Sequence, residues 1–298
     1  MKTLTQAQVN ILLNQALNKV YEAPIAAFES TTLLPRGTNG VSAGAESFSW
    51  WEMNGFGVAK FVDRYAKDLP PVGMAMKQKF AGVGIAGDSY SFSYFDLLNA
   101  QYEGIPLNTR LGVIQRNAIL MKQDSNALEG DSEHGFTGFI NNPNVPVVAI
   151  PNGDWKNSST TGDDIVDDFQ AIIDAVKAAT KNSEKPDSIA IASKQFAKLN
   201  NKRIASSGES PRILQYLKDT FPQIKNWYSA DCLNGVGVGG KDRVVLYTKA
   251  EDAVMHVVPL EFTQLPEQWA GLAATVNGVA KDAGTIFFRP LSAAYADV

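Results

Sequence analysis

The chain has 298 residues, 45% of them hydrophobic and 19% charged, with 27 Lys and Arg against 31 Asp and Glu for a net charge of −4. That length holds one large or two modest domains with a real core, and the composition excludes a disordered chain. A near-neutral balance also excludes a dedicated nucleic-acid binder, which needs a basic field to neutralise phosphates.

A single cysteine, Cys232, cannot form an internal disulfide, so nothing asks for an oxidising compartment. The opening Met1-Lys2-Thr3-Leu4-Thr5-Gln6 lacks the apolar core of a secretion signal, and no run approaches the ~20 apolar residues of a membrane span. The expectation is a soluble, untargeted chain that folds in a cytoplasm.

Leu4, Val9, Leu12, Leu13, Ala16, Leu17 and Val20 recur at helical spacing, which predicts a short amphipathic helix over residues 4–21 whose apolar stripe must lie on something. Ala23 to Gly44 is rich in Gly, Pro, Thr and Ser without a period and reads as an extended arm or loop. Structureless segments of that length are usually functional or partner-bound. From Glu46 to Phe61 the aromatic and β-branched residues Phe48, Trp50, Trp51, Phe56, Val58 and Phe61, broken by Gly55 and Gly57, read as a hairpin. After the Pro70-Pro71 break, Met74 to Ser93 reads as extended and ends in the alternation Tyr90, Phe92, Tyr94.

Tyr94 to Tyr102 turns helical, and Leu111, Ile114, Ala118, Met121 and Ser125 place a long helix over Leu107 to Leu128, with Pro106 suited to its first turn. At ~1.5 Å per residue that rod is roughly 33 Å long. Gly130 to Val148 reads as a polar turn region. The second half alternates element types. A helix is predicted at Asp163 to Lys181, with Ile165, Phe169, Ile172, Ile173 and Val176 on one face, acidic residues early, Lys177 and Lys181 late, and Thr161 with Asp164 as cap. A strand follows at Ser188 to Ala192, then a helix capped by Ser210 with Pro211 at its first position and Ile213, Leu214, Leu217 and Phe221 on one side. Further strands are predicted at Asn226 to Ala230, Val244 to Thr248 and Val254 to Val258. The alternation describes a compact α/β unit from about residue 146 to 260. The last forty residues are extended, with Thr285 to Phe288 stopped by Pro290.

Few residues could carry chemistry. The chain has two histidines, His134 and His256, so a triad or an imidazole metal site must use one of them. Gly87-Asp88-Ser89 imitates the nucleophile block of the GDS hydrolases, but the Tyr90 to Tyr94 alternation after it reads as strand, and Asp252 and His256 lack the Asp-x-x-His spacing. Two Gly-x-Gly-x-x-Gly matches, Gly82 to Gly87 and Gly235 to Gly240, lead into strand-like sequence and not into a helix N-terminus, so they read as turns or bulges. Asp131, Glu133 and His134 could contribute metal ligands, yet no further partner set is spaced to complete a site, and a solvated turn is the reading preferred. No catalytic, cofactor or metal residues are assigned. Trp50, Trp51, Phe56 and Phe61 are either core, a ligand cage, or a face buried on another subunit.

The order of these parts resembles the major capsid proteins of tailed bacteriophages and the related encapsulins. Within the family it is similar to one branch in Gly87-Asp88-Ser89-Tyr90-Ser91-Phe92-Ser93-Tyr94, in the stretch from Gly130-Asp131 to Gly138-Phe139-Ile140-Asn141, and in Phe287-Phe288-Arg289-Pro290. The resemblance implies an α+β, HK97-like shell fold. Its parts would be an N-terminal arm over residues 1–35, an extended-loop (E-loop) hairpin region over 36–88, a peripheral domain over 89–145 and 261–298 with a spine helix at 107–128, and an α/β axial domain over 146–260. It implies self-assembly through pentamers and hexamers into an icosahedral head around double-stranded DNA, in a virion built in the host cytoplasm. Scaffolding, portal and decoration proteins would be partners, DNA would be touched only weakly, no membrane would be involved, and no cofactor or catalysis is expected. Absence of the N-terminal scaffolding extension of the longest relatives implies a separate scaffold or its prior removal. Some relatives cross-link Lys to Asn between subunits, and Lys60 sits on the hairpin. Assembly-interface residues on this reading are Trp50, Trp51, Phe56, Lys60, Phe61, Arg64, Gly235, Gly237 and Gly240. The alternative within reach of the same fold is an encapsulin-like nanocompartment shell, and a soluble GDS hydrolase is the alternative outside it.

Overall fold

A computed structural model describes residues 27–298, apart from 63, 65–68, 103, 105, 156, 158–159 and 205–209. The amphipathic segment 4–21 lies outside the described residues. Helices are α1 (Glu29–Leu33), α2 (Tyr94–Tyr102), α3 (Leu107–Leu128), α4 (Gly162–Thr180), α5 (Ser193–Asn201) and α6 (Ile213–Thr220).

The α/β unit is built on a five-stranded mixed sheet. Its strands are β7 (Val147–Val148), β8 (Ser188–Ala192), β9 (Asn226–Ala230), β10 (Arg243–Tyr247) and β16 (Ala294–Asp297), in the order β7-β16-β10-β8-β9. β8 and β10 are buried at every position, as strands covered on both faces must be. Their alternation sends Ile189, Ile191, Val244 and Leu246 to one core with α4 and α6. Ala190, Ala192, Val245 and Tyr247 go to another, which they share with Leu33 and Leu34 of the arm, Ala127 and Leu128 of α3, Phe139 and Phe287. α3 therefore ends in the same core as the α/β sheet. Phe139 meets Tyr247 edge-on at 5.0 Å, and the Tyr247 hydroxyl donates to the Leu33 carbonyl at 2.6 Å.

The second sheet carries the long helix. β14 (Ala273–Asp282) pairs antiparallel with β4 (Gly84–Ser93) along ten positions, from Ala273↔Ser93 to Asp282↔Gly84. β12 (Leu260–Gln264) and β13 (Gln268–Ala270) pair with its other edge. One face of α3, Gln115, Ile119, Gln123 and Asn126, lies buried on this sheet. Gln115 Nε2 donates to the carbonyls of Asp88 at 2.8 Å and Val276 at 3.1 Å. Close approach there requires Gly278, because a Cβ would stand 2.7 Å from Gln115 Cδ. A third, three-stranded sheet joins β1 (Arg36–Gly37), β11 (Val254–Val257) and β15 (Thr285–Phe287), and a short pair links β5 (Gly130–Asp131) to β6 (Phe136–Thr137).

The hairpin is longer than the sequence suggests. β2 (Ser47–Phe56) pairs not with the residues just after Gly57 but with β3 (Gly73–Gly82), ten positions from Ser47↔Gly82 to Phe56↔Gly73. The glycines at 55 and 57 read as the turn, whereas register is fixed by the partner strand, which sequence spacing alone does not reveal.

Other expectations are corrected. Residues 27–44 are not structureless: α1 and β1 are fixed there, with Leu33 and Leu34 buried. Pro106 is the cap before α3, not its first helical residue. The helix assigned to Ser210 and Pro211 starts at Ile213 with Arg212 as its cap, because Arg203 and Arg212 form an isolated β-bridge that holds the preceding chain extended. α5 went unrecognised: it follows β8 without a break, and its N-cap Ala192 makes no side-chain cap hydrogen bond. Gly84 and Gly87 sit in a regular strand, not a turn or bulge; a Cβ at Gly84 would meet the Phe136 ring at 2.8 Å. The closing segment does not stay with the second sheet, since β16 crosses into the α/β sheet between β7 and β10. By contrast α4 starts on the capping box foreseen, with Asp164 N–H donating to Thr161 Oγ1 at 3.2 Å and Thr161 N–H donating to Asp164 Oδ2 at 2.7 Å.

Candidate assembly surface

Because residues opposite each other in an antiparallel pair point to the same side, the β2–β3 register sorts the hairpin into two faces. On one, Ser49, Trp51, Met53 and Gly55 stand opposite Phe80, Gln78, Met76 and Met74. Trp51, Met53, Met74, Met76 and Phe80 are all more than half exposed, so this face is an apolar stripe in solvent. On the other, Phe48 and Trp50 with Ala81 pack on the small core around Met255, Val257 and Ile286. Trp50 meets Phe288 edge-on at 5.4 Å, and further out Glu52 and Lys79 form an ion pair at 3.9 Å. The hairpin is thus fastened at its base by one face and offers the other.

The nine residues proposed for assembly divide accordingly. Trp51 and Phe56 are exposed on β2, with the Phe56 ring lying over Gly73 where a side chain would collide with it. Lys60, Phe61 and Arg64 are exposed in the tip between β2 and β3, and Phe61 is wholly in solvent. Trp50 belongs to the anchoring face and holds the hairpin to the body. Gly235, Gly237 and Gly240 lie elsewhere, in the loop from β9 to β10. Gly235 and Gly240 have φ of 71° and 75°, a region where L side chains are strained. A Cβ at Gly237 would stand 2.6 Å from Asp297 Oδ1. The loop is pinned from below, as Asp297 accepts from Val238 N–H at 2.9 Å and Arg243 Nε at 2.7 Å, and Asp242 accepts from Gly235 N–H at 2.9 Å. Burial alone would raise the Asp297 carboxyl, but the Arg243 hydrogen bond, the Val238 N–H and the charges of Arg243 and Lys241 outweigh it and hold it below the usual carboxylate range. The pinned loop holds Val238 out into solvent.

Sequence reading missed Met53, Met74, Met76 and Phe80. The signal was present as the two-residue period of Met74, Met76, Gln78 and Phe80, which places all four on one face. α2 spans Tyr94–Tyr102 as the sequence indicated, but what the sequence reading missed is that none of its residues is buried and that Phe95, Leu98 and Tyr102 are exposed.

The groups considered for chemistry do not assemble. Ser89 pairs with Asn277, whereas Asp282, the 2.9 Å partner of buried His256, pairs with Gly84. Five positions along a strand separate them, roughly 17 Å. Asp131, Glu133 and His134 bring ligand atoms within 4.8 Å of one another. However, the Asp131 carboxylate already accepts from Lys122 Nζ at 3.0 Å, and a cation there opposes a metal. That lysine, then His134, holds the Asp131 carboxyl down to about 2. Burial, then Glu29, pushes the Cys232 thiol far above its usual range, so it is not a thiolate. Among the described residues no helix is long and apolar enough to cross a membrane.

The fold is that of a phage capsid shell subunit. The chain resembles a chain of the capsid of Myoviridae phage XM1 with TM-score 0.80 and 16% identity, over 99% of each chain. It resembles the capsid of a native GTA particle with TM-score 0.68 and 11% identity over 100% of this chain and 99% of that one, and a chain of Mycobacterium phage Bobi with TM-score 0.66 and 14% identity over 99% of each. No curated protein matches it in sequence. Residues 57–298 match the model of the major capsid protein family, and the chain belongs to that family.

Proposed function

We propose that copies of this chain close an icosahedral phage head around double-stranded DNA, through pentamers and hexamers in which the β2–β3 stripe of one subunit lies on its neighbour. The observation that carries this is a ten-residue-long hairpin fastened by one face and apolar on the other. Such stripes mark protein contacts. Burying each large apolar side chain contributes up to roughly 1.5–3 kcal/mol, while pairing two proteins costs about 4–15 kcal/mol. One hairpin contact is therefore comparable with its cost, and a ring in which every subunit both gives and receives a hairpin is favoured over an isolated pair. α2, unburied and apolar, suits the receiving side.

In this reading residues 1–35 are the arm and 36–88 the hairpin region. The peripheral unit is 89–145 with 261–298, less β16, which lies in the sheet of the axial unit 146–260. Trp51, Phe56, Lys60, Phe61 and Arg64 serve contacts along the hairpin, and the Gly235–Gly240 loop serves those around a ring axis. The role is structural and not catalytic. Scaffolding, portal and decoration proteins are its partners, with DNA contacted weakly at a net charge of −4. Assembly takes place in the host cytoplasm and the product is the virion. Membership of the major capsid protein family favours a phage head over a nanocompartment. Electron microscopy of the purified protein across salt and scaffold conditions is expected to show closed shells, and monomers or small oligomers throughout would refute the proposal.

A further inference from the structure

The sheet beneath α3 has two edges, and they are finished differently. On the β12 and β13 side the pairing is broken into strands of five and three residues, with a register shift between Leu260 and Thr263. On the other side β4 runs ten residues without a shift and, among the described residues, pairs with β14 alone. The register shows which of its backbone groups are left over. Leu265 N–H donates to the Asn277 carbonyl at 2.8 Å, so Asn277 faces β12, and Ser89, which stands opposite it on β4, faces outward. By the two-residue period of a strand, Ile85, Gly87, Ser91 and Ser93 share that orientation. The N–H of Ser89 donates to Asp88 Oδ1 at 2.7 Å and that of Ser93 to Asp96 Oδ2 at 2.9 Å. Among the described residues no side chain takes the N–H of Ile85 or Gly87 in this way. Pro, Lys and bulges blunt such edges in natural sheets, and β4 has none of the three.

Beside the Gly84–Asp88 end of this edge lies a cavity of about 390 Å³ whose walls include Ala118 and Lys122 of α3 and Phe136 of β6. Asp88, Asp131 and Asp282 line it against Lys122. Asp131 is paired with Lys122, and Asp282 with His256 and Asn126. Asp88, by contrast, accepts only from the N–H of Ser89 among the described residues. Asn126 Nδ2 is given to Asp282, and its Oδ1, on a side chain 4% exposed, has no hydrogen-bond partner. The cavity is therefore short of donors. Nor does the chain's own packing demand glycine at 87, since a Cβ there would stand 3.6 Å from the Gly278 carbonyl, an ordinary contact. A bare Cα instead leaves room for a backbone alongside.

We propose that β4 accepts an added strand from another protein, an extended segment whose Lys or Arg enters this cavity and pairs with Asp88. Asp88 stands opposite Gly278, where a Cβ would meet Gln115 of α3, so its side chain lies on the α3 side of the sheet. The residue opposite Asp88 on an added strand points the same way, and Lys and Arg offer donors only. A second copy's β4 fits worse, because two-fold pairing about Ser89 makes the two Asp88 carboxylates diagonal neighbours on one face. The site lies apart from the hairpin's outer stripe and does not rest on the shell reading.

The probe is a fluorescently labelled pentapeptide, Thr-Val-Lys-Val-Thr, added to the full chain before assembly, with affinity read by anisotropy and pairing by hydrogen exchange. Two controls replace its Lys by Glu and N-methylate both Val residues, whose amides face β4 when the Lys stands opposite Asp88. The Lys peptide is expected to bind and to slow exchange over residues 84–88 while leaving β8 unchanged. The Glu peptide should bind roughly tenfold more weakly, and the N-methylated one not at all. Asp88→Asn should close most of the gap between the Lys and Glu peptides, and Ala118→Trp, which fills the cavity from an exposed position on α3, should abolish binding. Absence of binding, equal binding of the Lys and Glu peptides, or binding that survives N-methylation would each overturn the proposal. Protection of residues 84–88 that rises with protein concentration, or appears in shells without peptide, would overturn it in favour of a second copy. Should a protein variant fold poorly, the peptide controls on the unmodified chain decide.

Discussion

β8 and β10 of the α/β sheet and β2 and β3 of the hairpin are all strands, yet they solve opposite problems. Every residue of β8 and β10 is buried, with apolar side chains on both faces absorbed by helices and arm of the same chain. β2 and β3 pair over twice that length while Trp51, Met53, Met74, Met76 and Phe80 stay in water. Stability is therefore local to the α/β unit, and unspent burial is local to the hairpin. A lone two-stranded ribbon is marginal in water. This one holds through its anchored base and, in the proposed shell, through the neighbour it covers.

That contrast can be broken in order of effect. Replacing residues 57–72 by a short Gly-Ser turn is expected to abolish closed shells in micrographs while leaving a folded subunit with an unchanged thermal midpoint. Normal particles from that variant would remove the hairpin from the assembly account. In the α/β unit the loss should appear as instability instead. Phe169, buried and stacked on Trp155 at 5.1 Å, anchors the core beneath α4. Phe169→Ala is expected to cost about 3–5 kcal/mol in chemical denaturation.

Asp297→Asn weakens the pinning of the 235–240 loop and is expected to cost roughly 1.5–3 kcal/mol at neutral pH. Asp297 titrates lower in the folded chain than in the unfolded one, so its contribution is complete above the unfolded value of about 3.9 and disappears as pH falls through the folded value. The difference between the two proteins should thus be largest near pH 7 and shrink below about pH 4, as followed by denaturation at several pH values. Trp51→Ser is the smallest for the subunit, within about 0.5 kcal/mol, because the side chain is 59% exposed. Its effect should be read in assembly yield, and a large loss of subunit stability would mean that Trp51 is core.

Much of the fold was legible because local signals agreed with tertiary ones. α3 spans Leu107–Leu128 and β8 spans Ser188–Ala192 as the periodicity indicated, and α4 begins on its Thr161 cap. The failures share one cause, long-range pairing. Sequence periodicity shows that β3 is a strand, but not that Gly73 stands opposite Phe56, and so the hairpin was placed too early and Trp50 was grouped with Trp51. Nor can local pattern show that the last strand, Ala294–Asp297, returns between β7 and β10. The proposed interface was legible as an unexplained excess of aromatics and in the two-residue period of Met74, Met76 and Phe80, but that Trp51 and Met53 share their face became visible only with the register.

Oxidative footprinting of Trp51, Met53, Met74 and Met76, in dissociated subunits and in assembled shells, tests most directly that the hairpin's outer stripe is an assembly surface. The account predicts ready modification in the subunit and strong protection in the shell. Equal modification in both states would contradict it.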